Sequence, residues 1–93
     1  MDFANVLLKL RTKAKMTSNA LGEEAQVDPS YVVRLERGEK RHPSRRVLLK
    51  LGQALLDNSG DITLKDVDRL LKAAGYGPLP RNRISIIPAN RKR

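Results

Sequence analysis

The chain has 93 residues, and its 19 lysines and arginines outnumber its 10 aspartates and glutamates. The resulting formal charge of +9 favours a polyanionic partner, nucleic acid before an acidic membrane. With no cysteine and one histidine, the sequence excludes disulfides, thiolate chemistry and a histidine-rich metal site. The length suits one domain with a small core, three aromatic residues are too few for stacking on single strands, and no apolar run reaches the ~20 residues of a membrane span.

The first predicted helix runs from about Phe3 to Lys15, with Asp2 as its N-cap residue. Apolar residues recur along it at helical spacing, at Phe3, Val6, Leu7, Leu10 and Ala14. Basic residues alternate along its second half, which spreads their charge around the helix. We therefore expect most of them to be solvated, with Lys13 or Lys15 as a candidate for a phosphate contact.

Two short helices joined by a tight turn are predicted over Thr17–Gly38. The first follows the N-cap residue Thr17 and ends near Ala25, with Leu21 one turn before Ala25 on the same face. Val27 lies in the turn. Helices of about two turns bury too little apolar surface to be stable alone, so this pair needs flanking helices.

The second helix of the pair runs from Pro29 to about Arg37. Asp28 is a preferred N-cap residue, and proline suits the first helical position because its missing N–H would have no partner there. Gly38 can adopt the left-handed conformation that closes a helix. The apolar face consists of Val32 and Leu35.

A basic loop leads to a fourth helix, for which Ser44 is the expected N-cap residue. The apolar stripe of this helix is Val47, Leu48, Leu51 and Leu55. The composition of residues 57–61 predicts a linker. A fifth helix follows the N-cap residue Thr63 and ends at Gly75, with Asp66 completing a partial capping box. Its expected buried face is Leu64, Val67, Leu70, Leu71 and Ala74.

The last segment, Tyr76–Arg93, is basic and contains no acidic residue. Its tip is expected to be disordered. The β-branched residues of Arg83–Ile87 favour a short strand, which would pair with the same strand of a second subunit, and a loose basic tail is the equally weighted alternative. We therefore predict a domain over residues 1–75 and a basic tail over 76–93, partly disordered or dimerising.

An ordered pattern runs through AQVDPSYVVRLERGEKRHPSRRVLLKLGQAL, from Ala25 to Leu55. It comprises an apolar turn residue, an N-cap residue, Ser-Tyr, an apolar pair, Leu-Glu-x-Gly, a basic loop, Pro-Ser and a leucine-rich helix. In this order and spacing the chain resembles the phage-repressor family of helix-turn-helix proteins, the lambda-repressor-like or Xre/Cro type, over about residues 3–56. The resemblance implies an all-α, five-helix domain.

The resemblance also implies an ion pair between Arg11 and Glu36 that holds the first helix against the third. In three places the sequence departs from the family: Ser18 replaces a common glutamine, Gly22 an alanine and Gln26 a glycine. Glycine in a helix costs about 1 kcal/mol relative to alanine. A left-handed conformation costs a residue such as glutamine about the same. We therefore expect these residues to affect the docking angle of the third helix more than the fold.

A helix-turn-helix inserts its second helix into the major groove of double-stranded DNA, with the early residues facing base edges. The resemblance places the family's base-contacting positions at Pro29, Ser30, Val33 and Arg34, with Ser18 at the start of the preceding helix. Arg34 is the strongest candidate for a base contact. A guanidinium that binds O6 and N7 of guanine contributes ~1–3 kcal/mol of discrimination against other bases. A phosphate contact, or a pairing with Asp28 or Glu24, is the alternative role for Arg34.

Phosphate contacts are expected on both sides of this helix. On one side, backbone N–H groups near Thr17 and Ser18 lie where the helix dipole favours anions, with Asn19 assisting. On the other side, the candidates are Arg37, Lys40, Arg41 and Arg45, with His42 and Arg46 as further options. Tyr31 is a candidate either for a phosphate contact or for packing against the second helix. The alternative for the basic loop is simple solvation.

These features predict a sequence-specific double-stranded DNA-binding transcriptional regulator, a repressor acting as a homodimer on an inverted-repeat operator. The alternatives are an antitoxin that autoregulates its operon, and a protein-interaction module that has lost base reading. A toxin or anti-repressor is a possible further partner. Neither a cofactor nor an enzymatic activity is expected, since the sequence has no nucleophile–base pair or glycine-rich phosphate loop. Because no signal peptide is recognisable, we expect a cytoplasmic protein, associated with the nucleoid when bound to DNA.

Overall fold

A computed structural model describes residues 2–39 and 42–79, and within these ranges the chain forms five α-helices and no strand. The helices are α1 (Phe3–Lys13), α2 (Ser18–Ala25), α3 (Pro29–Glu36), α4 (Arg45–Asn58) and α5 (Leu64–Ala73). This confirms the predicted all-α, five-helix fold. The strand predicted at Arg83–Ile87 and the tip of the tail lie outside the described residues.

Each helix begins where the sequence predicts. The five N-cap residues are Asp2, Thr17, Asp28, Ser44 and Thr63, and the side chain of each accepts a hydrogen bond from a backbone N–H of the first turn. The capping box of α5 is complete. The Asp66 N–H donates to Thr63 Oγ1 at 3.2 Å, and the Thr63 N–H donates to Asp66 Oδ2 at 3.0 Å. Local hydrogen bonding therefore fixes the helix starts.

Two helices end at positions that differ from the prediction. α1 ends at Lys13 instead of about Lys15, because Lys15 adopts a left-handed conformation with φ 58°. α4 continues to Asn58, into the residues predicted as a linker. Asn58 Nδ2 donates to the Ala54 carbonyl at 2.9 Å and to Glu24 Oε1 of α2 at 3.3 Å. These contacts hold the last turn of α4 in place.

The core is formed by the apolar faces of all five helices. The prediction that Leu64 is buried was wrong: it is 47% exposed, as the first residue of α5. Ile62, which precedes the N-cap residue, is buried in its place, at a position where hydrophobic residues often pack against the first turn of a helix. Two residues predicted as part of the tail, Tyr76 and Leu79, are half-buried and pack against this core. None of the helices in the described residues could span a bilayer.

Candidate nucleic-acid interface

The turn between α2 and α3 depends on a left-handed residue that is not glycine. Gln26, which stands where the family commonly has glycine, has φ 58° and ψ 43°. Its N–H donates to the Glu23 carbonyl at 3.2 Å, and the N–H of Val27 donates to the Gly22 carbonyl at 2.8 Å. These bonds close α2 and let α3 begin only two residues after Val27.

Gly22 allows α2 and α3 to approach closely. A Cβ at this position would lie 2.7 Å from the Val27 carbonyl oxygen and 2.8 Å from Pro29 Cα, closer than such atoms can come. Both neighbours are backbone atoms, so a side chain could be accommodated only if the turn moved. Gly22 therefore packs directly against the turn and the start of α3.

The buried side of α3 is anchored to the core and to α1. Val32 and Leu35 are fully buried. Arg11 donates twice to Glu36, from Nε to Oε2 at 2.6 Å and from Nη2 to Oε1 at 3.0 Å. Its Nη1 also donates to the Met16 carbonyl at 2.8 Å, just before α2 begins. The predicted ion pair is therefore confirmed, and its hydrogen bonds with Glu36 raise the pKa of Arg11 against the opposing effect of burial.

The opposite side of α3 faces solvent and carries the residues predicted to contact bases. Ser30 and Arg34 are exposed, and Pro29 and Val33 are half-buried. Asp28 Oδ1 accepts hydrogen bonds of 3.0 Å from both the N–H and the hydroxyl of Ser30. These two bonds, followed by the charge of Arg34, hold the pKa of Asp28 below its ordinary value. The Ser30 hydroxyl is thus oriented with its lone pairs available to a donor.

The side chain of Arg34 forms no hydrogen bond or ion pair with another residue in the described part of the chain. Glu24, one of its predicted alternative partners, instead accepts a hydrogen bond from Asn58. The charge of Arg34 acts on Asp28, and the two side chains share no hydrogen bond. The guanidinium is therefore available to an external ligand.

The start of α2 presents polar groups to solvent. Thr17 and Asn19 are exposed and Ser18 is half-buried. Thr17 Oγ1 accepts the Ala20 N–H at 3.0 Å, which leaves the hydroxyl proton available. The N–H groups of Ser18 and Asn19 open the helix and have no acceptor within it. This end of α2 has the chemistry of an anion site.

The basic residues after α3 are placed differently from one another. Arg37 is 70% exposed and lies 3.8 Å from the Glu39 carboxylate, a weak surface pair. Arg45 is half-buried, and its Nη1 donates to the Gly77 carbonyl at 3.4 Å. Arg46 is exposed and lines a groove between α2 and α4. Lys40 and Arg41 lie outside the described residues.

Two further predicted candidates are engaged within the protein. Lys13 Nζ lies 3.3 Å from Asp66 Oδ2 of α5, so the amine is directed toward α5. Tyr31 is half-buried and packs against the core, which agrees with its packing alternative. Sequence reasoning also missed Tyr76, whose hydroxyl donates to the Pro43 carbonyl at 2.8 Å. No local pattern links Tyr76 to a residue so far away in the chain.

The sequence profile of a family described as Helix-turn-helix matches residues 7–55, just over half of the chain. The match spans α2, the turn, α3 and most of α4. No curated protein and no solved structure matches the chain.

Proposed function

The chain belongs to the lambda-repressor-like (Xre) helix-turn-helix family, whose domain is a double-stranded DNA-binding transcriptional regulator, and we propose that it acts as a sequence-specific repressor. We further propose that it binds an inverted-repeat operator as a homodimer, on the nucleoid. We propose residues 1–75 as the main part of the DNA-binding unit, and Arg83–Ile87 of the tail as the segment for self-association.

The observation that carries this proposal is the contrast between the two sides of α3. Its buried side is fixed by the core and by the paired Arg11 and Glu36, whereas Arg34 on the other side lacks a partner in the described residues. In the groove, Arg34 contacts a guanine, Val33 packs on a thymine methyl group and Ser30 accepts a hydrogen bond. A rigid helix with available polar side chains can distinguish base sequences.

We refer to Ser30, Val33 and Arg34 as the reading surface, and proposed phosphate contacts flank it. The start of α2 contributes the N–H groups of Ser18 and Asn19, with Thr17 donating from its hydroxyl. On the other side, the exposed Arg37 and Arg46 are proposed to contact phosphates, and by their sequence position Lys40 and Arg41 are proposed to do the same. The formal charge of +9 favours this association at long range.

Selection of binding sites from a random duplex library tests the proposal. A repressor dimer returns an inverted repeat, with half-sites about 34 Å apart or a multiple of that distance. Affinity for the selected site should fall with salt at a log–log slope of about −0.9 per phosphate contact. No enrichment and no salt dependence would refute DNA binding. A partner protein that co-purifies from the native host would favour the antitoxin alternative.

Arg34→Ala then tests base reading. We expect it to reduce discrimination between the selected and a scrambled site by about 5-fold to 150-fold, corresponding to ~1–3 kcal/mol. Arg69→Ala is the control for the loss of one positive charge: Arg69 is also an exposed arginine, but it lies on α5, 3.6 Å from the carboxylate of Asp66. Equal effects of the two variants would show that Arg34 contributes only its positive charge and does not contact a base.

A further inference from the structure

Residues Tyr76–Leu79, here called the strap, leave α5 and return across the molecule. The Tyr76 N–H donates to the Leu71 carbonyl at 2.9 Å, which ends α5. Tyr76 and Leu79 then pack against the core, and the Leu79 N–H donates to Asp68 Oδ1 at 2.8 Å. The strap is therefore held against α5 at both of its ends.

The strap also contacts the start of α4 at two points. The Tyr76 hydroxyl donates to the Pro43 carbonyl at 2.8 Å, and Arg45 Nη1 donates to the Gly77 carbonyl at 3.4 Å. Pro43 is fully buried, and Ser44, the N-cap residue of α4, follows it directly. The strap thus joins α5 to the point where the chain turns into α4.

This point lies within the proposed phosphate-binding region. His42 before it and Arg46 after it are both exposed. A donor that is already in place contributes to binding without the cost of ordering it, whereas a loose donor must be ordered on association. Pro43 has no N–H, so its carbonyl is the hydrogen-bonding group through which its backbone can be held.

We propose that Tyr76 is a positioning residue for DNA binding: through Pro43 it holds the start of α4, and with it Arg46, in place for the DNA backbone. Arg45 acts in the same way, through Gly77, and does not itself contact a phosphate. This inference rests on the proposed function, since it assigns these residues to the same DNA interface. It gives the strap a role that is separate from self-association by the rest of the tail.

Tyr76→Phe removes the hydroxyl and keeps the ring in the core. Thr12→Val is the matched control, since Thr12 Oγ1 also donates to a backbone carbonyl, that of Leu8, at 2.8 Å, but lies on α1. Affinity of the full chain for a mixed-sequence duplex of about 30 base pairs, long enough for adjacent half-sites, is measured over a salt series, together with thermal unfolding. This duplex suffices because phosphate contacts do not depend on the base sequence.

We expect Tyr76→Phe to weaken binding about threefold to tenfold, the range for the loss of one hydrogen bond, and to make the salt slope shallower by about one phosphate contact. Thr12→Val should leave both binding values unchanged. If Tyr76→Phe also leaves them unchanged, or if both variants weaken binding equally, the inference is wrong. Wild-type protein without any salt-dependent binding would instead refute the proposed function.

Arg45→Gln provides a second measurement in the same assay. If Arg45 and Tyr76 act through one strap, the double variant loses less affinity than the product of the two single losses. Full multiplication of the losses would overturn the assignment of Arg45 to the strap, because it would indicate an independent contact with the DNA.

Discussion

α1 is joined to two other helices by ion pairs that begin only two residues apart and are built differently. Arg11 and Glu36 of α3 form a double contact, 2.6 Å for the shorter bond, with side chains only 20% and 10% exposed. Lys13 and Asp66 of α5 form a single contact of 3.3 Å, and the lysine is 48% exposed. We refer to these as the α3 pair and the α5 pair.

The difference lies in what each pair can fix. A guanidinium that binds a carboxylate through two parallel bonds restricts orientation as well as distance, whereas an ammonium group is a point charge on a flexible stem. The α3 pair can therefore set the angle of the helix that carries the reading surface. The α5 pair holds a supporting helix close, and Asp66 also completes the capping box and lies 3.6 Å from Arg69 of the same helix.

The largest effect is expected from Arg11→Met. It leaves the carboxylate of Glu36 nearly buried without its partner, and we expect a loss of ~3–5 kcal/mol in the free energy of unfolding, measured in urea. Arg11→Lys keeps the positive charge but cannot form the two parallel hydrogen bonds. It should therefore retain part of this stability and still weaken binding to the selected operator. A loss below about 1 kcal/mol for Arg11→Met would show that the α3 pair is no stronger than a surface pair.

Gly22→Ala should be the next most damaging change on the α3 side. The added Cβ meets two backbone atoms of the turn, so α3 must shift, and overpacking of this kind costs about 1–3 kcal/mol, against which alanine recovers about 1 kcal/mol of helix propensity. Operator affinity should fall together with stability. Gly60→Ala is the control, because a Cβ at Gly60 has no atom within 4 Å outside its chain neighbours. Unchanged operator binding by Gly22→Ala would mean that the α2–α3 spacing is not critical.

Asp66→Asn tests the α5 pair and should have a smaller effect. Burial opposes ionisation of Asp66, but the Thr63 N–H and then the Lys13 ammonium outweigh it, so its pKa is lowered. A lowered pKa contributes stability above the ordinary aspartate value of ~3.9, and this stability is lost as the pH falls through the folded-state pKa. We expect Asp66→Asn to cost about 1 kcal/mol at neutral pH and to flatten this acid dependence.

The control for this prediction is Asp61→Asn, since Asp61 is exposed and has no ion pair among the described residues. Operator binding at neutral pH should be the same for wild type and both variants, because α5 carries none of the proposed DNA contacts. A loss of operator binding by Asp66→Asn at a temperature where it is folded would contradict the division between the two pairs.

The fold could be predicted from the sequence wherever the signal is local. All five N-cap residues were correct, because a capping side chain bonds to a backbone N–H two or three residues away. The errors arose where tertiary contacts decide. The left-handed Lys15 carries no glycine-like signal, the last turn of α4 depends on a contact between Asn58 and Glu24, and Leu64 falls beyond the edge of the core.

In the candidate site, too, the local features could be predicted from the sequence and the contacts between distant residues could not. The spacing of Ser30, Val33 and Arg34 along one helix is a local property, so it could be transferred from the family to this chain. The contact between Tyr76 and Pro43 joins residues 33 positions apart, and no periodicity or capping motif predicts it. The role of Arg45 was predicted from its charge alone, without the Gly77 carbonyl that its guanidinium meets in the structure.

The smallest effects are expected from relaxing the two left-handed residues that flank α2. Lys15 and Gln26 have the same φ of 58°, so Lys15→Gly and Gln26→Gly should relieve similar strain. The gain, about 1 kcal/mol, is partly offset by the entropy of glycine in the unfolded chain, so both stability changes should stay below that value.

Because the α3 pair fixes the angle of α3, Gln26→Gly should leave operator affinity within about twofold in the wild-type background, a shift of ~0.4 kcal/mol. In the Arg11→Lys background, which lacks the two parallel hydrogen bonds to Glu36, Gln26→Gly should weaken binding further, while Lys15→Gly should not. A large loss from Gln26→Gly alone would place control of the docking angle in the turn and not in the α3 pair.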